Sequence, residues 1–339
     1  MNREKSEKRN FWLLLALAVV AGLGFLVWGQ YNTASTIFDL GFLRRNAAEL
    51  MTSAEGVKLE EEGQAAYESM VQEGEAWGSD VPRTQGSWET ESITRLFGEN
   101  ARLRLNYDYY TRNGSKTVVL LHGFTQSAAD VRYWASFWWD RGWDVVIPQM
   151  RGDGETLDAA VPNTYGVYEQ FDLYDLILAA GLQGDTLVLQ GRGAGAAAAI
   201  LLAANEDLAD AGVDGVVAES VYANMWADTQ TLVKQLFNLG NPILLRFLNY
   251  QIRTKLGFLP ESVDLTAAAA SCRTPGLFLW GEDDTFLTPE DTRKMSDAWA
   301  GETRTAALKG GHRLLWAVSG EEYRAAMEDF LTLLGEGGT

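Results

Sequence analysis

The chain has 339 residues, 47% of them hydrophobic, enough to bury a large core in one or two domains. Its net charge is −18, and residues 1–10 hold Arg3, Lys5, Lys8 and Arg9 against Glu4 and Glu7, so the remainder is more acidic still and nucleic acid is excluded as a partner. The single cysteine, Cys272, excludes an intramolecular disulfide and reads as a small core residue. With no H-x-x-x-H pattern and no His/Cys cluster, neither a metal site nor a cofactor is expected.

Phe11 to Trp28 carries no charge over 18 residues. At about 1.5 Å per residue it spans roughly 27 Å, and Gly29 to Tyr31 extend it to the bilayer core of about 30 Å. Basic residues precede it, so residues 11–30 are expected to form a single-pass signal anchor with residues 1–10 as a cytoplasmic tail and the body outside the cytoplasm. A cleaved signal peptide is the alternative, but Asn32-Thr33-Ala34 lacks a small residue at the −3 position. Residues 31–89 read as a juxtamembrane stem followed by an acidic, exposed helix over Leu59–Trp77 and a break across Gly78–Gly86 around Pro82.

From about residue 90 to 339 short apolar runs alternate with longer helical stretches. Strands are predicted at Ile93–Phe97, Leu103–Tyr110, Thr117–Leu121, Asp144–Ile147, Thr186–Gln190, Gly215–Ala218, Gly276–Trp280 and Thr305–Leu308. Helices are predicted at Ala128–Arg141, Val167–Ala180, Ala194–Ala203, Pro289–Ala300 and Glu321–Leu334. The pattern implies an α/β fold whose eight-stranded, mostly parallel sheet is covered on both faces, with an antiparallel edge where the first two strands follow each other directly. Residues 225–270 interrupt the alternation with an apolar helical insert, placed after the sixth strand and so over the carboxyl ends of the strands.

The predicted strand Thr186–Gln190 runs into Gly191-Arg192-Gly193-Ala194-Gly195 and a run of alanines. This is the strand–sharp turn–helix context of a nucleophile elbow, G-x-S-x-G, with glycine at the serine position. Gly191 and Gly195 suit the tight turn and close helix packing, but Gly193 carries no side chain that could attack a carbonyl. No Ser, Thr or Cys lies between Leu187 and Leu202. Thr125 and Ser127 read as caps of the helix near Ala128, and Glu219 and Ser220 as a strand-end turn at the pocket rim.

With Leu120-Leu121-His122-Gly123-Phe124 after the third strand, and with LFLWGEDD from Leu277 and Gly310-Gly311-His312 further on, residues 90–339 resemble the α/β-hydrolase superfamily. The similarity is greatest to single-pass, membrane-anchored bacterial esterase-like and peptidase-like hydrolases. The resemblance implies His122 and Gly123 on the oxyanion loop, backbone N–H groups of Phe124 and Ala194 as the oxyanion hole, and an acid–histidine pair supplied by His312 and Asp284, the latter in G-x-x-D register with Gly281, with Asp283 as the neighbouring alternative. Pro148 to Thr156 resembles the family's structural turn after the fourth strand, departing at Gln149 and Asp153. Three functions follow. One is a pseudo-hydrolase that binds a small ester, amide or carboxylate ligand. A second is a slow esterase in which His312 and Asp284 activate water, and a third is an active serine hydrolase deliberately inactivated at position 193.

Overall fold

The apolar N-terminal run belongs to one helix, α1 (Asn2–Phe42), 41 residues long in the computed structural model, which describes residues 2–42, 61–92, 94, 101–152 and 161–336. Its side chains are described from Val19 onward. From there to Trp28 the large apolar side chains are exposed, from 48% at Val27 to 68% at Phe25. Among the described residues no helix is long and apolar enough to cross a membrane. The expected span starts at Phe11, before the first described side chain.

The last turns of α1 change character. Ala34, Ile37, Phe38 and Phe42 are buried, at the i, i+3, i+4, i+8 spacing that faces one side of a helix. Of the stem expected from residue 31, residues 31–42 therefore continue the helix and dock on the body, whereas residues 43–60 lie outside the described residues. The acidic helix α2 (Glu61–Asp80) is likewise docked rather than freely exposed. Met70 is buried, Arg132 pairs with Glu75, and a Cβ on Gly74 would stand 2.6 Å from the Tyr133 nitrogen. Only glycine lets the two backbones approach so closely.

Among the described residues eight strands form one sheet: β1 (Thr84–Thr90), β2 (Leu103–Tyr110), β3 (Lys116–Leu121), β4 (Asp144–Pro148), β5 (Thr186–Arg192), β6 (Val213–Glu219), β7 (Gly276–Gly281) and β8 (Thr303–Leu308). Their order is β1-β2-β4-β3-β5-β6-β7-β8; β1 and β2 are antiparallel and β3 to β8 run parallel. The first strand corrects the sequence expectation. It starts where a break was anticipated, because Trp88 and Thr90 alternate inward at the sheet edge while Gly86 leaves room for the Tyr107 ring. The strand predicted at Ile93–Phe97 lies, apart from Thr94, outside the described residues.

The central strands are buried on both sides, as parallel strands under helices must be. Val119, Leu121, Leu187 and Leu189 point to one face, where α4 (Glu169–Ala179) and α5 (Ala194–Ala204) pack. Val118, Leu120 and Val188 point to the other, where α3 (Ala135–Asp140), preceded by a 3-10 turn over Ala128–Trp134, contributes Trp134 and Trp138. The expected insert is two helices, α6 (Met225–Phe237) and α7 (Pro242–Leu256), followed by the short α8 (Leu265–Ala269). After it come α9 (Pro289–Ala298), α10 (Leu315–Val318) and α11 (Gly320–Leu333). Helix α7 packs along the last turns of α1. The order in which strands are added reverses at β3, with β4 on one side and β5 on the other, so the crevice at the carboxyl ends of β3 and β5 is where an open α/β sheet binds ligands.

Candidate active site

β5 ends at Arg192 and α5 begins at Ala194, leaving Gly193 alone to turn the chain, at φ 52° and ψ −114°. That strained conformation is held from both sides: the Gly193 N–H donates to the Glu219 carbonyl at 3.0 Å, and its carbonyl accepts from the Ala197 N–H at 2.9 Å. The flanking glycines are dictated by space. A Cβ on Gly191 would stand 2.5 Å from the Ala196 nitrogen, and one on Gly195 would stand 2.6 Å from the Leu121 carbonyl oxygen. A Cβ on Gly193 meets nothing nearer than 3.8 Å. The turn therefore requires glycine at 191 and 195 and has room for a side chain at 193.

The loop after β7 delivers the acid. Asp284 Oδ2 lies 3.0 Å from His312 Nδ1, while its Oδ1 accepts from the Phe286 and Leu287 N–H groups, both at 2.9 Å. Burial works against ionising this carboxyl, but His312 and the two backbone donors outweigh it and hold the group below the usual carboxylate range. The Asp283 carboxylate turns elsewhere and accepts from the Gly310 N–H at 3.3 Å. Between the two acids, geometry selects Asp284. With Nδ1 engaged, the Nε2 of His312 is left for the cavity that His312 and Gly193 both line.

His122 does not reach that cavity as a chemical group. It is buried, Nδ1 lies 3.0 Å from the Gly123 carbonyl, and Nε2 accepts from the Met150 N–H at 3.0 Å. It thereby ties the loop after β3 to the turn after β4, and Gln149 joins it at 3.1 Å. Gly123 donates its N–H to Gln126 at 2.8 Å, and Phe124 and Ala194 line the cavity from opposite sides of the crevice. Ala194 opens α5, where the first N–H groups of a helix have no partner within it. Ser127 does start the helical turn, its N–H and hydroxyl both on Asp130, but Thr125 is no cap: its Oγ1 accepts from Arg313 at 2.8 Å. Asp153 to Thr156 of the turn after β4 lie outside the described residues.

The cavity is narrow, about 100 Å³, and mostly apolar. Leu232, Val233 and Phe237 of α6, Leu248 of α7 and Ile37, Leu40 and Phe42 of α1 wall it above the elbow. Of the six non-glycine residues with positive φ among those described, Tyr165 and Arg313 line it, and the Ser220 carbonyl lies 3.8 Å from where a Cβ on Gly193 would stand. Such conformations cost on the order of 1–3 kcal/mol each, and strain gathered at one crevice marks a functional site.

No family model matches the chain. A Bacillus subtilis protein, the uncharacterized YqkD, is 22% identical over 221 residues, covering 63% of this chain and 70% of that one. Among solved structures, the Pyrococcus furiosus esterase Pf2001 superposes with a TM-score of 0.56 at 17% identity, over 76% of this chain and 92% of the esterase. Rv0554 from Mycobacterium tuberculosis gives 0.52 at 15% identity over 73% of this chain and 98% of its own. The chain has the α/β-hydrolase fold.

Within that fold three features escaped the sequence reading. The first lies under the elbow, where Arg192 and Glu219 form a fully buried pair at 2.5 Å and Arg192 also donates to the Tyr133 hydroxyl. The two residues are register partners on β5 and β6, so the pair becomes visible only once those strands are neighbours. The second is the docking of α1 against the cavity. The third is Asp228 on α6, a half-buried carboxyl lining the cavity and the only acid between Ser220 and Glu261.

Burial first, then the neighbouring Asp291 and Asp284 carboxylates, push the Asp228 pKa up to about 7. An unfolded aspartate titrates near pH 4, so between about pH 4 and 7 the folded state holds a proton that the unfolded state has lost. Stability from this group therefore falls as pH rises through that window. Asp228→Asn removes the penalty. Thermal unfolding should show no advantage for the variant near pH 4 and its full advantage by about pH 8; a gap independent of pH would contradict the assignment.

Proposed function

We propose that this is a membrane-anchored hydrolase-fold protein that binds a slender acyl ligand without forming an acyl-enzyme. The carrying observation is the Gly193 turn, kept in the strained elbow conformation with space for a side chain but none present, beside an intact His312–Asp284 pair. Losing a triad nucleophile costs on the order of 10⁶ in turnover. What remains can hold a carbonyl or carboxylate at the N-terminus of α5 and an apolar chain between Leu232, Leu248 and Leu40. The anchor is Phe11–Trp28, supported by the exposed apolar side chains of Val19–Trp28 on a helix running directly into the body. The body then lies outside the cytoplasm.

A slow hydrolase is the second reading, favoured by the 3.0 Å His312–Asp284 contact, which leaves an imidazole nitrogen to activate water where the serine is missing. Calorimetry with octanoate, run beside turnover of p-nitrophenyl octanoate, separates the readings. The binding protein takes up octanoate and hydrolyses the ester no faster than about 10³–10⁴ over water, the acceleration left when a triad member is absent. Turnover well above that bound, or no binding of octanoate, would overturn the proposal.

A further inference from the structure

Four contacts fix where the insert lies along α1. The Asn241 amide donates to Gln30 Oε1 at 2.8 Å, Tyr31 meets Phe247 edge-on at 5.6 Å, and Lys255 reaches Asp39 at 3.4 Å while lying 4.3 Å over the Phe38 ring. Helix α7 therefore runs parallel to the end of α1, and its first turn stands level with Gln30. That is two residues, about 3 Å of helix rise, beyond the last residue of the apolar run. The turn joining α6 to α7 thus sits where a bilayer surface would meet the chain.

The composition of this turn suits that position. Leu239 and Ile243 are exposed there, at 36% and 51%. Lys234 and Arg246, one turn to either side, are exposed as well. From Thr229 to Pro260 the chain carries Lys234, Arg246, Arg253 and Lys255 and no acidic residue, within a protein of net charge −18. Basic and apolar side chains exposed together beside a membrane segment are the combination that binds anionic headgroups and their acyl boundary.

We infer that the α6–α7 turn is a lipid-contact surface: Leu239 and Ile243 enter the headgroup layer, and Lys234 and Arg246 engage anionic phospholipid. This rests on the membrane anchorage proposed above. The same two helices wall the cavity, through Leu232, Val233 and Phe237 of α6 and Leu248 of α7, within about two turns of this surface, so the contact brings the ligand site close to lipid.

The test uses the full-length protein in nanodiscs, with a fluorophore on Ile243→Cys or Leu26→Cys and a shallow spin-labelled lipid as quencher. The native Cys272 is fully buried and stays unlabelled. With phosphatidylglycerol present, both labels should be quenched, and Lys234→Gln with Arg246→Gln should at least halve quenching at 243 while leaving 26 unchanged. Quenching at 26 alone, with 243 no more quenched than a label on exposed Glu206, would overturn the lipid contact and leave the anchor standing. No quenching at 26 would overturn the anchor and this inference together. Quenching at 243 that ignores both the two substitutions and the anionic lipid would overturn the headgroup recognition.

Discussion

Gly193→Ser is expected to raise hydrolysis of short-chain p-nitrophenyl esters by on the order of 10² or more, about 2.7 kcal/mol of transition-state stabilisation. The space exists, since a Cβ at this position meets only Leu287 Cδ1 and the Ser220 carbonyl, both at 3.8 Å. The backbone is already in the elbow conformation, so serine has to accept φ 52° but need not create it. The cost of that φ, about 1–3 kcal/mol, should appear as a modest loss of thermal stability. Gly195→Ala is the contrasting substitution. Its Cβ would press to 2.6 Å from a main-chain oxygen of β3, which cannot move alone, so it should cost about 3 kcal/mol and disturb the crevice. A folded Gly193→Ser protein with no gain in esterase activity would mean that His312 and the N-terminus of α5 no longer converge on the turn.

Glu219→Ala should be the most destabilising single change near the site. Arg192 cannot shed its charge, and without the carboxylate 2.5 Å away it would remain ionised in a fully buried position. Leaving one partner of such a pair costs about 3–5 kcal/mol, which should lower Tm by on the order of 10 °C. Removing both charges together, as Glu219→Ala with Arg192→Met, should restore much of that loss, because the desolvation penalty disappears with the guanidinium. Thermal unfolding of the two single variants and the double variant gives the coupling directly; additive losses would show that the pair does not act as a unit.

The central sheet was legible because burial on both faces writes itself as continuous apolar runs: KTVVLL at β3, TLVLQ at β5 and LFLW at β7. The glycines around position 193 were legible for a steric reason, and a missing hydroxyl is as visible in a sequence as a present one. Other features depend on what strands and helices meet. β1 was misplaced because an edge strand reading TQGSWET buries only Trp88 and Thr90. Asp284 could not be chosen over Asp283 without the direction of each side chain, which the Phe286 and Leu287 N–H groups decide. The stripe Ala34, Ile37, Phe38 and Phe42 was hidden behind the uniformly apolar run before it, which masks helical periodicity. Asp228 carried one signal, its isolation as the only acid between Ser220 and Glu261.

Intact-mass analysis after exposure to a fluorophosphonate tests the vacant-nucleophile account most directly. The wild-type chain should keep its mass, and Gly193→Ser should gain one adduct that maps to the peptide containing residue 193 and is lost when His312→Ala is added. An adduct on the wild-type chain at any residue lining the crevice would contradict the account, since it would show that the site already holds a nucleophile.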